Sequence, residues 1–129
     1  MNTIKYENEF ATFEIRNDIL YTEFKDQVSL TLEVARQVVA DQVILLNGKS
    51  YPVILDMRKL VDSEKGGRDF LASTTSIPAD AMALLAEGKI SLAISEFYLK
   101  VSRPTVPTAI FRNKTAALHY LKKTHNNIS

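Results

Sequence analysis

The sequence predicts an α/β domain whose mostly parallel sheet is covered by helices. Three observations lead there. Residues 52–57 form a short apolar run, entered by Pro52 and carrying Asp56 near its exit, the pattern of a strand buried on both faces. Residues 10–24 hold two β-prone runs joined at Arg16, Asn17 and Asp18, which reads as a hairpin because Asn and Asp tolerate left-handed turns. Beyond the hairpin, apolar runs alternate with helix-period segments, so successive strands must be joined by crossovers and run in parallel. The expected order is ββαβαβαβα in one domain of 129 residues, with 1–9 and 124–129 as loose termini.

Each element has a local reason. In the hairpin, Phe10, Thr12 and Glu14 fall on one side and Ala11, Phe13 and Ile15 on the other. Thr31 is placed to cap the first long helix, with Ser29 as competitor and Glu33 in the favourable first turn. Val34, Ala35, Val38, Val39, Leu45 and Leu46 form its apolar stripe; Arg36, Gln37, Asp41 and Gln42 are read as facing outward, and Gly48 as the left-handed stop. After the strand at 52–57, a loop over 58–62 leads to a shorter helix near 64–73, capped by Ser63 and ended by the polar stretch 73–76. Residues 81–86 read as a buried strand, because Ile90, Ile94, Phe97 and Val101 then recur at a helix period and claim 89–101 as the next helix, with Ala93 and Tyr98 extending the stripe. Pro104 and Pro107 bracket a non-helical loop, 108–111 is another buried strand, and Asn113 caps a final helix with Ala117, Leu118 and Leu121 inward and Lys122 and Lys123 in its last turn.

Composition narrows the function classes. Sixteen basic and 15 acidic residues give a net charge of +1, which argues against an electrostatic nucleic-acid binder. The hydrophobic fraction of 46% suits an ordinary globular core, and no apolar stretch approaches the ~20 residues of a membrane span. With no cysteine, disulfides, thiolate catalysis and cysteine-bound zinc are excluded, and the cytoplasm is the expected location. The Walker, G-x-G-x-x-G and G-x-S-x-G patterns are absent, and no carboxylate pair is placed for acid–base work. No enzyme activity, metal or cofactor is therefore expected. His119 and His125, six residues apart, do not share a helix face.

The order of elements, with Ile54–Arg58 closing the first central strand, resembles the STAS-like fold of the bacterial anti-sigma-factor antagonists (SpoIIAA-like). The chain resembles a set of uncharacterised bacterial STAS-like proteins more closely than it does those antagonists. The resemblance rests on the Leu-Asp-x-Arg strand end, the helix Arg68–Ser73, the run Phe97–Leu99, the proline-punctuated Arg103–Pro107 before Ile110 and Phe111, and the closing Ala116–Leu121. It spans roughly Phe10 to Lys122. It implies a regulatory domain that binds a protein partner or its own copy. In the antagonists a serine after the first central strand is phosphorylated; the matching place here holds Asp62 and Ser63, with Glu64 in place of a second serine.

The candidate sites follow. Ser63, with Asp62 beside it, is either a phosphoacceptor and partner contact or a plain helix cap. Asp56, Arg58 and Lys59, at the carboxyl end of a central strand, are placed either to meet a ligand or partner at a topological switch point or to pair among themselves. Ile90, Ile94, Phe97 and Tyr98 are either core or the wall of an apolar groove for a small ligand or lipid between the 89–101 helix and the sheet. The leading expectation is a non-enzymatic protein-interaction domain, self-association as a homodimer included; the alternative is a small-molecule or lipid-binding module.

Overall fold

The structure, a computed structural model, describes residues 3–73 and 79–128, the last four of these in backbone alone. The hairpin forms as its turn chemistry requires. Strands β2 (Ala11–Arg16) and β3 (Ile19–Phe24) pair antiparallel, and Asn17 (φ 52°) and Asp18 (φ 61°) supply two consecutive left-handed residues. Residues 4–8 differ from expectation. Ile4–Glu7 forms a strand, β1, antiparallel to β2, and Asn8 makes the corner by accepting the Phe10 and Ala11 N–H groups on its side-chain oxygen.

After β3 the chain makes a short strand, β4 (Ser29–Leu30), and then helix α1 (Leu32–Leu46), whose N-cap Thr31 accepts from the Val34 N–H at 3.2 Å. Asn47 (φ 49°), not Gly48, takes the left-handed C-cap, and Gly48 (φ 81°) follows in the same region. Strand β5 (Tyr51–Asp56) is followed by β6 (Asp62–Ser63), helix α2 (Lys65–Ser73) and strand β7 (Ala79–Leu85). The expected stop over residues 74–76 lies outside the described residues. Helix α3 (Lys89–Phe97) loosens into a π turn over Tyr98–Ser102, strand β8 is Thr108–Phe111, and helix α4 (Lys114–Ile128) closes the chain. Asn113 caps α4 through the Ala116 N–H. That helix runs on through the expected frayed tail, so Lys122 and Lys123 lie within it rather than in its last turn.

One sheet runs β1-β2-β3-β5-β7-β8, parallel from β3 onward, and β4 with β6 makes a small parallel pair. Helices α1, α2 and α3 cover one face, where Val34, Val38, Leu71, Ile94 and Tyr98 pack on Phe13, Leu20, Leu55 and Leu84. Helix α4 covers part of the other face with Ala117 and Leu121 against Ile54, Ala81, Ala83 and Leu85; the alanines admit the helix. This is the expected mixed α/β arrangement, with a sheet parallel over its central strands. It leaves the β1–β3 end of that second face open.

Two polar residues expected on the outside of α1 are buried. Gln42 is 1% exposed and donates to the Thr22 hydroxyl at 2.9 Å; Asp41, 7% exposed, accepts from Asn8 and Gln37. The sheet and the β1–β2 corner reach further round α1 than its apolar stripe alone predicts.

Candidate interaction site

At the carboxyl end of β5, Asp56 and Arg58 satisfy one another, while Lys59 turns to the neighbouring strand. Asp56 is 5% exposed; its two oxygens accept Arg58 Nε at 2.9 Å and Nη2 at 2.7 Å, and its Oδ1 also accepts the Arg58 backbone N–H. That carboxylate raises the pKa of the Arg58 guanidinium. Lys59 reaches Glu23 Oε2 at 3.2 Å on the neighbouring strand, where Glu23 and Asp56 are register partners. The parallel strands follow one another in the order β3-β5-β7-β8 without reversing, so the switch point invoked for this edge does not form.

A second cluster joins residues that lie far apart in the chain. Ser63 sits in β6, where its partner is Leu30, and Asp62 accepts its N–H at 2.8 Å. Arg68, one turn into α2, donates to both the hydroxyl and the carbonyl of Ser63. The expected cap role is therefore not the one Ser63 plays: the carbonyl of Glu64 takes the first helical bond, from the Arg68 N–H at 3.1 Å. The Arg68 guanidinium also lies 4.9 Å over the ring of Phe97 on α3. Asp69, the next residue, accepts from Ser102 at 2.7 Å and pairs with Lys65, both of which lower its pKa, so α2 is tied to the π turn as well.

The apolar stripe of the 89–101 segment divides, which corrects its reading as core. Ile90, Phe97 and Val101 are 55%, 52% and 52% exposed, whereas Ile94 is buried. The inward face is Ser91, Ile94, Ser95 and Tyr98, itself spaced i, i+3, i+4, i+7. Sequence reasoning missed it by counting apolar residue types alone. Ser91 can be buried because its hydroxyl donates to the Glu87 carbonyl and accepts the Glu87 N–H. Tyr98 is fully buried between α2 and the sheet, its hydroxyl 3.5 Å from the Leu71 carbonyl, and burial pushes its phenol pKa up. The cavity between α1, α2 and the sheet, lined by Gln42, Val53, Leu55, Leu71 and Met82, holds about 10 Å³.

The uncovered end of the second sheet face forms an open trough of about 480 Å³, floored by Thr12, Glu14, Tyr21 and Ile54 and flanked by Lys5, Glu7 and Lys114. Arg16 and Lys114 lie 4.7 and 5.6 Å over the Tyr21 ring. Among the described residues no group of three or more His, Asp or Glu is gathered for a metal, and His119 is exposed. The side chain of His125 lies outside the described residues. No described helix is long and apolar enough to cross a membrane.

Over residues 13–125 the sequence matches the family described as a domain of unknown function, DUF7793. The chain belongs to that family. Among solved structures it is similar to an uncharacterised protein of the DUF3478 family with a SpoIIAA-like fold from Shewanella loihica PV-4, with a TM-score of 0.59 and 19% identity over 90% of this chain and 98% of that one. The chain therefore has a SpoIIAA-like, STAS-type fold. No curated protein matches it.

Proposed function

We propose that the protein is a non-enzymatic cytoplasmic regulatory domain that docks a partner protein on the α2–α3 surface. The observation that carries this reading is the ridge Ile90, Phe97 and Val101. It places three large apolar side chains on one stripe of a helix, each about half exposed, while the helix's other side is packed. The ridge is braced from α2: Arg68 bridges Phe97 to Ser63, and Ser102 is bound to Asp69. Its surroundings are charge-balanced, with Lys100 paired to Glu96 and Lys65 to Asp69, which suits a protein surface better than an anionic membrane. Ser63 is the charge-sensitive point at its border, since any anion there meets the Arg68 guanidinium.

A photo-crosslinking residue at position 97 tests this in cells. The expected result is capture of one protein that, once purified, binds the wild-type chain and loses affinity about tenfold or more to a Phe97→Glu variant of unchanged stability. Undiminished binding by that variant rejects the reading. Ser63→Asp is expected to alter the same affinity relative to Ser63→Ala.

The second reading, a small-ligand module, is supported by the trough over Tyr21 instead of the apolar space first expected beside α3. Its lining implies a polar, charged ligand. Native mass spectrometry of the purified protein checks for one directly: a co-purified small molecule supports this reading, and a ligand-free protein counts against it.

A further inference from the structure

We infer that two copies of this chain join edge to edge through β1, antiparallel, about a two-fold axis at Tyr6. Among the described residues, the strand Ile4–Glu7 is the outer strand of the sheet and is paired on one side only. It carries exposed apolar residues, Ile4 at 50% and Tyr6 at 47%, on a fully extended edge without proline, the kind of edge that accepts another strand.

The direction of the free backbone groups follows from the ladder. Asn8 N–H donates to the Ala11 carbonyl at the β1–β2 corner. Hydrogen-bonded pairs alternate along an antiparallel ladder, so Tyr6 with Phe13 and Ile4 with Ile15 are the next pairs that exchange bonds with β2. The backbone N–H and C=O of Lys5 and Glu7 therefore point outward.

An isologous antiparallel partner must place residues of equal parity opposite one another, because the side chains of a facing pair share one side of the sheet. Four registers centred on a residue of the strand satisfy this parity and present outward-facing groups to each other. Centring on Ile4 sets Lys5 opposite the uncharged Thr3, so no ion pair forms. Centring on Lys5 sets Lys5 against the Lys5 of the second copy, and centring on Glu7 sets Glu7 against Glu7; like charges directly opposite are unfavourable. Centring on Tyr6 sets Lys5 opposite Glu7 twice. Each Lys5–Glu7 pair then exchanges two backbone hydrogen bonds, and the two carboxylates face two ammonium groups. On the other side of the sheet Tyr6 meets Tyr6 as the close, non-hydrogen-bonded pair, beside Phe13, whose ring centroid is already 6.0 Å from that of Tyr6. The existing Lys25–Glu7 ion pair uses one oxygen of Glu7 and leaves the other for the incoming Lys5. Lys5 can swing to it at little cost, since its bridge within the chain is a long 4.0 Å approach to Glu14 and its side chain is 76% exposed.

Cysteine placement tests the register, because the chain has no cysteine of its own. A Tyr6→Cys variant puts two thiols on the two-fold axis with Cα atoms about 4.5 Å apart, within disulfide reach. It should oxidise to a covalent dimer roughly tenfold or more faster than Ile4→Cys, which faces residue 8 of the other copy. Sedimentation velocity of the wild-type chain should show dimer growing with concentration. Lys5→Glu and Glu7→Lys should each remain monomeric, while an equimolar mixture of the two regains the dimer. In that mixed pair the new carboxylate of the first variant faces the new ammonium group of the second, and the unchanged Glu7 of the first faces the unchanged Lys5 of the second. Wild type sedimenting as monomer at every concentration, equal oxidation of the two cysteine variants, or undiminished dimer in both charge variants would each overturn the inference.

Discussion

Gly67 lies so close to the Leu30 carbonyl oxygen that a Cβ on Gly67 would penetrate it, and the Thr31 carbonyl stands equally in the way. Helix α2 thus seats directly on the backbone that leads into α1. The neighbouring Gly66 has room: its added Cβ would meet only the Leu32 side chain, at 3.7 Å. Gly67→Ala should therefore lose about 1–3 kcal/mol of unfolding free energy by overpacking. Gly66→Ala, in the same helix, should gain up to about 1 kcal/mol from propensity. Chemical denaturation of both variants checks the contrast, and equal effects would contradict the close approach.

Tyr98 links the fold's stability to alkaline pH. Its phenol is buried, so its pKa in the folded protein lies above the ordinary value of 10.0. A group whose folded pKa is raised contributes stability that is complete below the unfolded value and is lost as pH rises through the range above it. Stability should accordingly decline above about pH 10, and the tyrosinate absorbance of Tyr98 should appear only with unfolding. Tyr98→Phe should abolish the slope due to this residue and cost less than about 1 kcal/mol at neutral pH, since the bond to Leu71 is long.

The buried pair of Thr22 and Gln42 predicts a non-additive cycle. Thr22→Val leaves the Gln42 amide without its acceptor and should cost about 1–3 kcal/mol. Gln42→Met removes the other partner. The double variant should be more stable than the sum of the single losses predicts, because no orphaned polar group remains. Urea denaturation of the four proteins reads the coupling directly.

The two ion pairs at the end of β5 should differ in weight. Arg58→Ala strands the buried Asp56 carboxylate and should cost about 1–3 kcal/mol, at the low side of buried pairs because the Arg58 side chain is 36% exposed. Lys59→Ala breaks a pair whose side chains are 47% and 43% exposed, and should change stability by less than about 1 kcal/mol. Thermal melts of both variants at one ionic strength compare them.

Phe97→Glu and Ile54→Asp separate surface from core on opposite sides of the sheet. Phe97 is half exposed, so its replacement should leave stability within about 0.5–1 kcal/mol while weakening partner binding. Ile54 is 1% exposed beneath α4, and a carboxylate there should prevent folding altogether. Circular dichroism melts of the two proteins distinguish these outcomes.

Local chemistry made much of the fold legible from the chain. The Asn17–Asp18 turn, the Thr31 and Asn113 caps, and the buried runs of β5 and β7 are written in consecutive residues, and each appears where those residues place it; β8 forms at its expected place too, but as an edge strand it is half-buried rather than buried. Three features were not legible in this way. Residues 4–7 alternate apolar and charged side chains, but over only four residues, and they become a strand because β2 offers them an edge. The buried side of α3 includes two serines, one of them satisfied by a turn of backbone that only the fold supplies. Ser63 is taken from its helix by Arg68 and by the strand partner Leu30.

By itself, then, the sequence determined the class, the order and direction of the central strands, and the family resemblance, because turn conformations and burial periodicity are set by neighbours in the chain. Only the tertiary structure decided which stripe of α3 faces solvent, that Ser63, Arg68 and Phe97 meet at one surface, and that β1 presents an open edge. Those relations depend on which faces are covered by elements distant in sequence, and periodicity marks a stripe without saying what lies against it.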